Sequence, residues 1–312
     1  MTYRLRGLTA CLLAAVVVGG CATRRHAAAV APAPAPGGAA GGVAPAAPAG
    51  PAAPVPSPPA SVTPAGALSE TLERSDPRLA AAVLRVLAGP SAAAHRALAR
   101  EYRRLGVLDK AYDSFERAIA LDPADGVSHE GTARIWRDWG TPHLGLGAAY
   151  RAVHFAPQSA SAANTLGTVL QALGNLPEAE RWYGRALALA PDAWYALNNI
   201  CYVQVMRRQA SAMGFCQRAV AAAGPNVATA KNNLALAHAA GGDMPGARQW
   251  FRRAGDPATA HYNYGIALMA TREYARAAAA FADSLDADPT STLTAARARQ
   301  ARAAAQSQEQ DQ

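Results

Sequence analysis

A series of prolines spaced 34 residues apart constrains this chain more than any other feature. In front of each proline the sequence repeats a similar order of small, aromatic and glycine positions, and a period of this length is typical of stacked helical hairpins. The series comprises Pro123, Pro157, Pro191 and Pro225, and Pro257 and Pro289 follow at shorter intervals. Because proline cannot continue a helix, each one marks the end of a unit. The sequence therefore predicts an all-α array of helix pairs.

Within one unit, the apolar residues recur at helical spacing. In the unit that begins at residue 160, Leu166 and Leu170 are four residues apart, and Ala179, Tyr183 and Ala186 follow at intervals of four and three. Both runs place an apolar stripe on one face of a helix. The alanines let two helices approach closely, and the tyrosine fills the space between them. A glycine between the runs supplies the turn, where a left-handed backbone is favourable.

This order of residues resembles the tetratricopeptide repeat (TPR). The resemblance covers six units over residues 92–291 and implies a right-handed superhelix of about six helix-turn-helix repeats with an open groove. Two units depart from the pattern. Gly145 and Ala149 weaken the second helix of the second unit, and the fourth unit fits only if its inter-helix turn is one residue shorter. The fourth unit then places Ala212, Cys216 and Ala219 in the core.

Both ends of the array have the features of capping helices. Residues 67–91 contain the helix-start signal Asp76–Pro77, followed by a stripe of Leu79, Val83, Val86 and Leu87. Residues 292–312 form the other end, with a polar helix expected over 292–304 and a polar tail after it. Terminal helices with a polar outer face keep such arrays soluble.

The first 20 residues have the composition of a secretory signal peptide. Arg4 and Arg6 precede an uncharged stretch from Gly7 to Gly20, which is too short to span a bilayer. Residues 18–21 read Val-Gly-Gly-Cys and resemble the bacterial lipoprotein box. That resemblance implies a mature chain that begins at Cys21, acylated by groups such as palmitate.

Alternatives to lipidation at Cys21 are a plain signal peptide and an uncleaved one. A second match to the box ends at Cys11, but cleavage there would leave too short an apolar core. In the resembling lipoproteins, an aspartate after the acylated cysteine favours inner-membrane retention, whereas this chain has Ala22. We therefore expect the protein on the outer membrane, facing the periplasm.

A linker of alanine, proline and glycine over residues 21–66 separates the anchor from the repeats. Residues 27–66 carry no charge, and such a composition buries too little apolar area to fold. We expect a disordered tether.

Charge and motifs argue against several classes of function. The formal net charge is +8, and Arg4, Arg6, Arg24 and Arg25 supply four of these charges at the start of the chain. The remaining excess is modest for an array of this size, whereas nucleic-acid binding requires a basic stripe with interleaved aromatic residues. An exported protein also rarely meets nucleic acid, so the sequence predicts no nucleic-acid partner. His129–Glu130 lacks the second histidine of a zinc-protease helix. The sequence therefore predicts no catalytic residue, no metal site and no cofactor.

Two cysteines remain in the repeats after removal of the leader and acylation. Cys201 and Cys216 fall on the two helices of the fourth unit, both toward the hairpin interior. An oxidising compartment permits a disulfide between them. The alternative is that both are small core residues with free thiols.

The resemblance also implies which residues face the groove, and these divide into two zones. An extended peptide, or a partner helix, would bind here, because carboxamides can pair with a peptide backbone and arginines grip carboxylates. The alternatives are that asparagine is common at these repeat positions and that the arginines form a solvated face, with Arg134 paired to Glu130. The first zone comprises Arg96, Arg100, Arg103, Arg134 and Arg137, and the second Asn164, Asn198, Asn199, Asn232, Asn233 and Asn263. Trp136 is expected in the core, and Trp139 and Tyr195 are expected to be exposed.

The predicted function is a non-catalytic, lipid-anchored scaffold that binds other proteins of the cell envelope. Residues 229–243 are similar to the Tad/Flp-type pilus-assembly TPR lipoproteins, which implies assembly of a pilus or secretion complex. Two other functions fit the sequence: an accessory subunit that recruits an envelope enzyme, and a self-associating structural protein.

Overall fold

The computed structural model describes residues 75–310. The predicted leader, the predicted acylation site Cys21, the linker and residues 67–74 lie outside this range, as do the last two residues. Residues 75–310 form fourteen α-helices and contain no strand. None of these helices combines the length and apolar character needed to cross a membrane.

The helices pair into six hairpins between two flanking helices. The helices are α1 (Pro77–Ala88), α2 (Ala92–Arg104), α3 (Leu108–Leu121), α4 (Gly126–Asp138), α5 (Pro142–Phe155), α6 (Ala160–Ala172), α7 (Leu176–Leu189), α8 (Trp194–Met206), α9 (Ala212–Ala223), α10 (Ala228–Ala240), α11 (Met244–Ala254), α12 (Pro257–Ala270), α13 (Tyr274–Ala287) and α14 (Thr292–Gln310). Each of the pairs α2–α3, α4–α5, α6–α7, α8–α9, α10–α11 and α12–α13 packs as a hairpin, while α1 packs on α2 and α14 on α13. The prediction of an all-α array of six TPR-like hairpins is therefore confirmed.

A left-handed residue ends the first helix of every hairpin. Gly174 after α6 has a φ of 81°, and the amide of Asn175 donates to the carbonyl of Leu170 at 2.9 Å, as in a Schellman motif. The fourth hairpin makes the same turn with Arg208, whose φ is 56°. Glycine is thus favoured at this position but not required.

The core of a hairpin forms where a small residue meets an aromatic ring. A Cβ added to Gly167 of α6 would lie 2.5 Å from the Tyr183 ring of α7, and Gly265 of α12 meets Phe281 of α13 in the same way. Tyr183 and Phe281 are fully buried. The alternation of small and aromatic positions in the sequence therefore reflects close helix contact.

The second hairpin differs from the expectation of a weakened second helix. Helix α5 is complete, with fourteen residues. Gly145 lets α5 pack closely against α4 because it has no Cβ. A Cβ at this position would lie 2.9 Å from the carbonyl oxygen of Ala133 and 3.0 Å from the Cβ of Trp136, which is too close. The glycine makes room for the tryptophan of the facing helix, which offsets its lower helix propensity.

The fourth hairpin has the shortened register that the sequence predicts. Four residues separate the left-handed Arg208 from the buried Ala212, whereas five separate Gly174 from Ala179 in the third hairpin. Ala212, Cys216 and Ala219 are all buried. The shift is absorbed in a tight turn in which the Ala212 amide donates to the carbonyl of Gln209 at 3.1 Å.

The flanking helices show two differences from expectation. Asp76 caps α1 by accepting hydrogen bonds from the amides of Arg78 and Leu79, each at 3.0 Å, as predicted. Leu87 of the expected stripe is exposed instead, because it lies about a quarter turn from the face that Leu79 buries. Helix α14 continues to Gln310, so residues 305–310 are helical and not an irregular tail.

Candidate functional site

The first helices of successive hairpins pack against one another and form one continuous face. Helix α2 contacts α4, α4 contacts α6, α6 contacts α8 and α8 contacts α10. The second helices are held mainly by the helices next to them in the chain. This arrangement places the first helices on the inner side of the array, and we call their solvent-facing surface the groove face.

In the arginine zone of the groove face, four of the five predicted arginines have acidic partners. Arg134 pairs with Glu130, and its Nε donates to Thr165 Oγ1 at 2.9 Å. The remaining pairs are Arg96 with Asp125 at 2.8 Å, Arg137 with Asp138 at 2.6 Å and Arg103 with Asp138 at 3.7 Å. The structure thus forms the Glu130–Arg134 pair that the solvated-face interpretation requires.

In the arginine zone, Arg100 has no acidic partner within residues 75–310, and Arg103 has only a distant one. Arg100 is exposed, and its side chain makes no ion pair or hydrogen bond within residues 75–310. Arg103 has a buried Nε without a hydrogen-bond partner and only the long contact to Asp138. Burial lowers the pKa of the Arg103 guanidinium, and the nearby charge of Arg134 lowers it further. An added carboxylate would relieve this concentration of positive charge.

In the middle zone the asparagines form a ladder between neighbouring hairpins. Asn199 Nδ2 of α8 donates to Asn164 Oδ1 of α6 at 2.8 Å, and Asn233 Nδ2 of α10 donates to Asn198 Oδ1 of α8 at 2.9 Å. Asn263 Nδ2 donates to Asn232 Oδ1 at 3.4 Å. Each bond joins one first helix to the next, so the ladder fixes the angle between consecutive hairpins.

The ladder has a further rung that the sequence analysis missed. Thr165 Oγ1 of α6 donates to Glu130 Oε1 of α4 at 3.0 Å, across the same 35-residue separation as two of the asparagine rungs. Ser161 Oγ donates to the same carboxylate oxygen at 2.7 Å. The buried Glu130 is therefore satisfied by two hydroxyls and Arg134. A search for polar residues at a 35-residue offset would have found this rung.

Each asparagine rung leaves one set of donors without a protein partner. The carbonyl oxygens of Asn164, Asn198 and Asn232 accept the ladder bonds, and their Nδ2 groups make no hydrogen bond within residues 75–310. None of these three nitrogens is fully enclosed by the described part of the chain, so each remains accessible from the groove. Three carboxamide donors, held at the repeat spacing, are thus available to an acceptor in the groove.

The aromatic residues near the groove divide between packing and partial exposure. Trp136 is buried, as predicted. Trp139 was expected to be exposed, but it packs against Trp136 and Tyr112 with ring centroids 5.1 and 5.5 Å apart. Tyr195 is half-buried, and burial raises the pKa of its hydroxyl, with a smaller contribution from the charge of Glu130. Because Tyr195 lies on the helix of Asn198 and Asn199 and close to Glu130 and Arg134, it borders both zones.

The two core cysteines are joined in the structure. Cys201 of α8 and Cys216 of α9 form a disulfide with the sulfurs 2.10 Å apart, inside the fourth hairpin. Both side chains are fully buried. Among residues 75–310, no group of three or more His, Cys, Asp or Glu side chains is arranged to hold a metal ion.

Comparison with known proteins identifies the repeat. Family models described as tetratricopeptide repeat match residues 94–127, 159–190, 215–258 and 253–292. A search of curated protein sequences gives no match.

Solved structures with the same fold include three proteins of distant sequence. The chain is similar to the Cut9–Hcn1 hetero-tetramer of the APC/C, with a TM-score of 0.63 and 18% identity over 74% of this chain. It spans 48% of that relative, about half of its length. It is also similar to PilF of Pseudomonas aeruginosa, with a TM-score of 0.54 and 17% identity over 68% of this chain and 96% of PilF. The type IV pilus biogenesis factor PilW gives a TM-score of 0.57 and 21% identity over 67% of this chain and 97% of PilW.

At these identities the structural likeness concerns the fold alone. The ranges that the repeat models match fall on the first, third, fifth and sixth hairpins and on the second helix of the fourth. The TPR is generally a non-catalytic fold for protein–protein interaction. The described part of this chain is therefore a solenoid of tetratricopeptide repeats.

Proposed function

We propose that this protein is a lipid-anchored scaffold of the cell envelope that binds an extended segment of another exported protein along its groove face. The single observation that carries the proposal is the row of unpaired amide donors on Asn164, Asn198 and Asn232. A polypeptide in extended conformation presents carbonyl acceptors at regular spacing, and carboxamides bind them without regard to side chains. The ladder holds the donors in place, which lowers the entropy cost of binding.

The arginine zone gives the bound segment a direction. Arg100 has no acidic partner within residues 75–310, and Arg103 has only one at 3.7 Å. Guanidinium groups bind carboxylates through paired, charge-assisted hydrogen bonds. We infer that the acidic part or the carboxyl terminus of the segment lies over the first two hairpins, and the uncharged part over the asparagine ladder.

A role in assembling a pilus or secretion complex is the specific form of this proposal. It draws support from the predicted leader, the predicted acylation at Cys21 and the fold shared with PilF and PilW over nearly their whole lengths. The protein would then be located on the outer membrane, facing the periplasm. In such an assembly the scaffold would hold a component near the membrane while the complex forms.

Replacing amide donors by acceptors tests the groove without dismantling the ladder. In the triple variant Asn164→Asp, Asn198→Asp and Asn232→Asp, each side chain keeps the oxygen that accepts the rung and loses its NH₂ group. After crosslinking in the source cells and purification, we expect the partner proteins recovered with the wild type to be lost with this variant.

A charge-matched variant separates the groove from net charge. Gln217→Glu, Gln306→Glu and Gln308→Glu add the same three negative charges at exposed sites away from the groove face. These changes should leave the partners in place. Recovery of the same partners with both triple variants would show that the carboxamides do not bind them.

A further inference from the structure

A second charged surface lies outside the groove face, between the fifth and sixth hairpins. Helix α11 supplies Arg248, Arg252 and Arg253, and the sixth hairpin supplies Tyr264 and Arg276. Together they line an open cavity of about 560 Å³, which we call the arginine cleft. A neighbouring recess of about 390 Å³ shares Arg248 and Arg252 and adds His261. The cleft thus continues around α11.

Three of the four arginines that line the cleft carry charge that no carboxylate of residues 75–310 neutralises. Between residues 244 and 276 there are five arginines and only two acidic residues, Asp256 and Glu273. Glu273 pairs with Arg276, and Asp256 caps α12 by accepting from the Thr259 amide at 2.9 Å. Arg248, Arg252 and Arg253 have no carboxylate partner within residues 75–310. This differs from the groove arginines, most of which are paired.

Aromatic rings contact two of these arginines, and a tyrosine hydroxyl binds a third. The Arg248 guanidinium lies 5.9 Å from the centre of the Tyr264 ring, and Arg276 Nη2 donates to the Tyr264 hydroxyl at 3.0 Å. Arg253 lies 4.9 Å from the centre of the Trp250 ring. The two ring contacts orient the guanidinium groups of Arg248 and Arg253 but leave their N–H donors free for an anion. The cleft is therefore partly preorganised.

We propose that the arginine cleft binds an acidic segment of a partner protein, with Asp or Glu carboxylates on Arg248, Arg252 and Arg253. Charge complementarity selects the class of partner, since uncompensated guanidiniums match carboxylates in geometry and sign. A membrane surface fits less well because none of the exposed large hydrophobic residues of the described chain lies between residues 244 and 276. Surface-bound segments insert such side chains between lipids. The site is separate from the groove face and does not depend on the proposed groove ligand.

The test measures binding of a dye-labelled octaglutamate peptide to the full-length protein by fluorescence anisotropy. We expect the double variant Arg248→Ala and Arg252→Ala to weaken binding by about tenfold or more, because both guanidiniums lose their carboxylates. Binding should also weaken as salt is raised. Both residues are exposed, so the thermal unfolding of the variant should match that of the wild type.

A second arginine pair provides the matched control. Arg181→Ala and Arg185→Ala remove the same charge from exposed positions one turn apart on α7, and the peptide should bind this variant like the wild type. Equal loss in both double variants, or no peptide binding to the wild type, would overturn the proposal. So would binding of the wild type to vesicles of anionic phospholipid without binding to the peptide. The variant Arg100→Ala and Arg103→Ala tests the groove separately, and its retention of peptide binding would show that the cleft acts alone.

Discussion

The third and fourth hairpins have the same fold but different cores. In the third, the Tyr183 ring of α7 covers Gly167 of α6, and its hydroxyl donates to Gln171 Oε1 at 2.8 Å. In the fourth, the corresponding contact between the two helices is the disulfide of Cys201 and Cys216. A buried aromatic side chain stabilises one hairpin by area removed from water, whereas a covalent link stabilises the other.

The stability of the two hairpins therefore responds differently to the redox conditions around the protein. The contact of Tyr183 with Gly167 is unaffected by redox conditions, whereas a disulfide forms and persists only in an oxidising compartment. The fourth hairpin carries two of the asparagines of the groove face, Asn198 and Asn199. We therefore expect the stability of the hairpin that carries these asparagines to depend on the compartment in which the protein folds.

The largest predicted effect concerns the aromatic core. We expect Tyr183→Ala to lower the free energy of unfolding by about 3 to 5 kcal/mol, because a fully buried ring is lost and a cavity remains. Urea unfolding followed by circular dichroism measures this. Tyr150→Ala is the control, since that tyrosine is 43% exposed, and it should cost far less. Similar losses for both would refute the role given to the ring.

The next effect concerns the disulfide. Cys201→Ala with Cys216→Ala should lower the free energy of unfolding by about 3 kcal/mol, the entropy expected for a closed loop of about 15 residues. Reductant should destabilise the wild type and leave the double variant unchanged. Thiol labelling of the unfolded, unreduced protein should find neither Cys201 nor Cys216 reactive. Two reactive thiols in protein purified from the envelope would contradict the pairing.

A pair of glycines on α5 tests the close-contact rule in the second hairpin. Gly145→Ala should destabilise the protein by about 1 to 3 kcal/mol, since the new methyl group would clash with the Ala133 carbonyl. Gly147→Ala should stabilise it by up to about 1 kcal/mol, because an added Cβ meets only Arg151 Nη1 at 3.6 Å. Thermal unfolding compares the two. Equal shifts in the same direction would disprove the packing argument.

The smallest effect concerns the turns. Arg208→Gly should stabilise the fourth hairpin by about 1 kcal/mol, because its left-handed backbone strains a residue with a side chain. Gly174→Ala should destabilise the third by a similar amount. Differential scanning calorimetry shows whether each substitution raises or lowers the unfolding temperature. A destabilising Arg208→Gly would mean that the arginine side chain has a role beyond the turn.

Periodicity explains why most of the fold could be predicted from the sequence. The spacing of alanines, aromatics and prolines defines the faces of each helix, and even the one-residue shift before Ala212 followed from matching Cys216 and Ala219 to the core. Contacts between two helices or two hairpins were harder to predict from the sequence. The role of Gly145 depends on how close α4 lies, and the packing of Trp139 depends on Tyr112 of the preceding hairpin.

The sequence was sufficient to identify residues of the groove face, but not the hydrogen bonds between them. Sequence spacing identified the asparagines, yet the direction of each rung depends on the rotation between hairpins, which the spacing does not specify. For the same reason the unpaired donors of Asn164 and Asn198 could not be distinguished from the paired ones. The arginine cleft was missed because its residues are distributed over two hairpins and lie outside the groove positions.

Site-specific photo-crosslinking in the source cells tests the central claim, that the groove face binds a protein partner. Two tyrosines form a matched pair: Tyr195 borders the groove zones, and Tyr150 is exposed on the second helix of its hairpin. Each is replaced in turn by p-benzoylphenylalanine, which preserves the aromatic ring. We predict a discrete adduct with another envelope protein from position 195 and none from position 150. An adduct from position 150 alone would contradict the account.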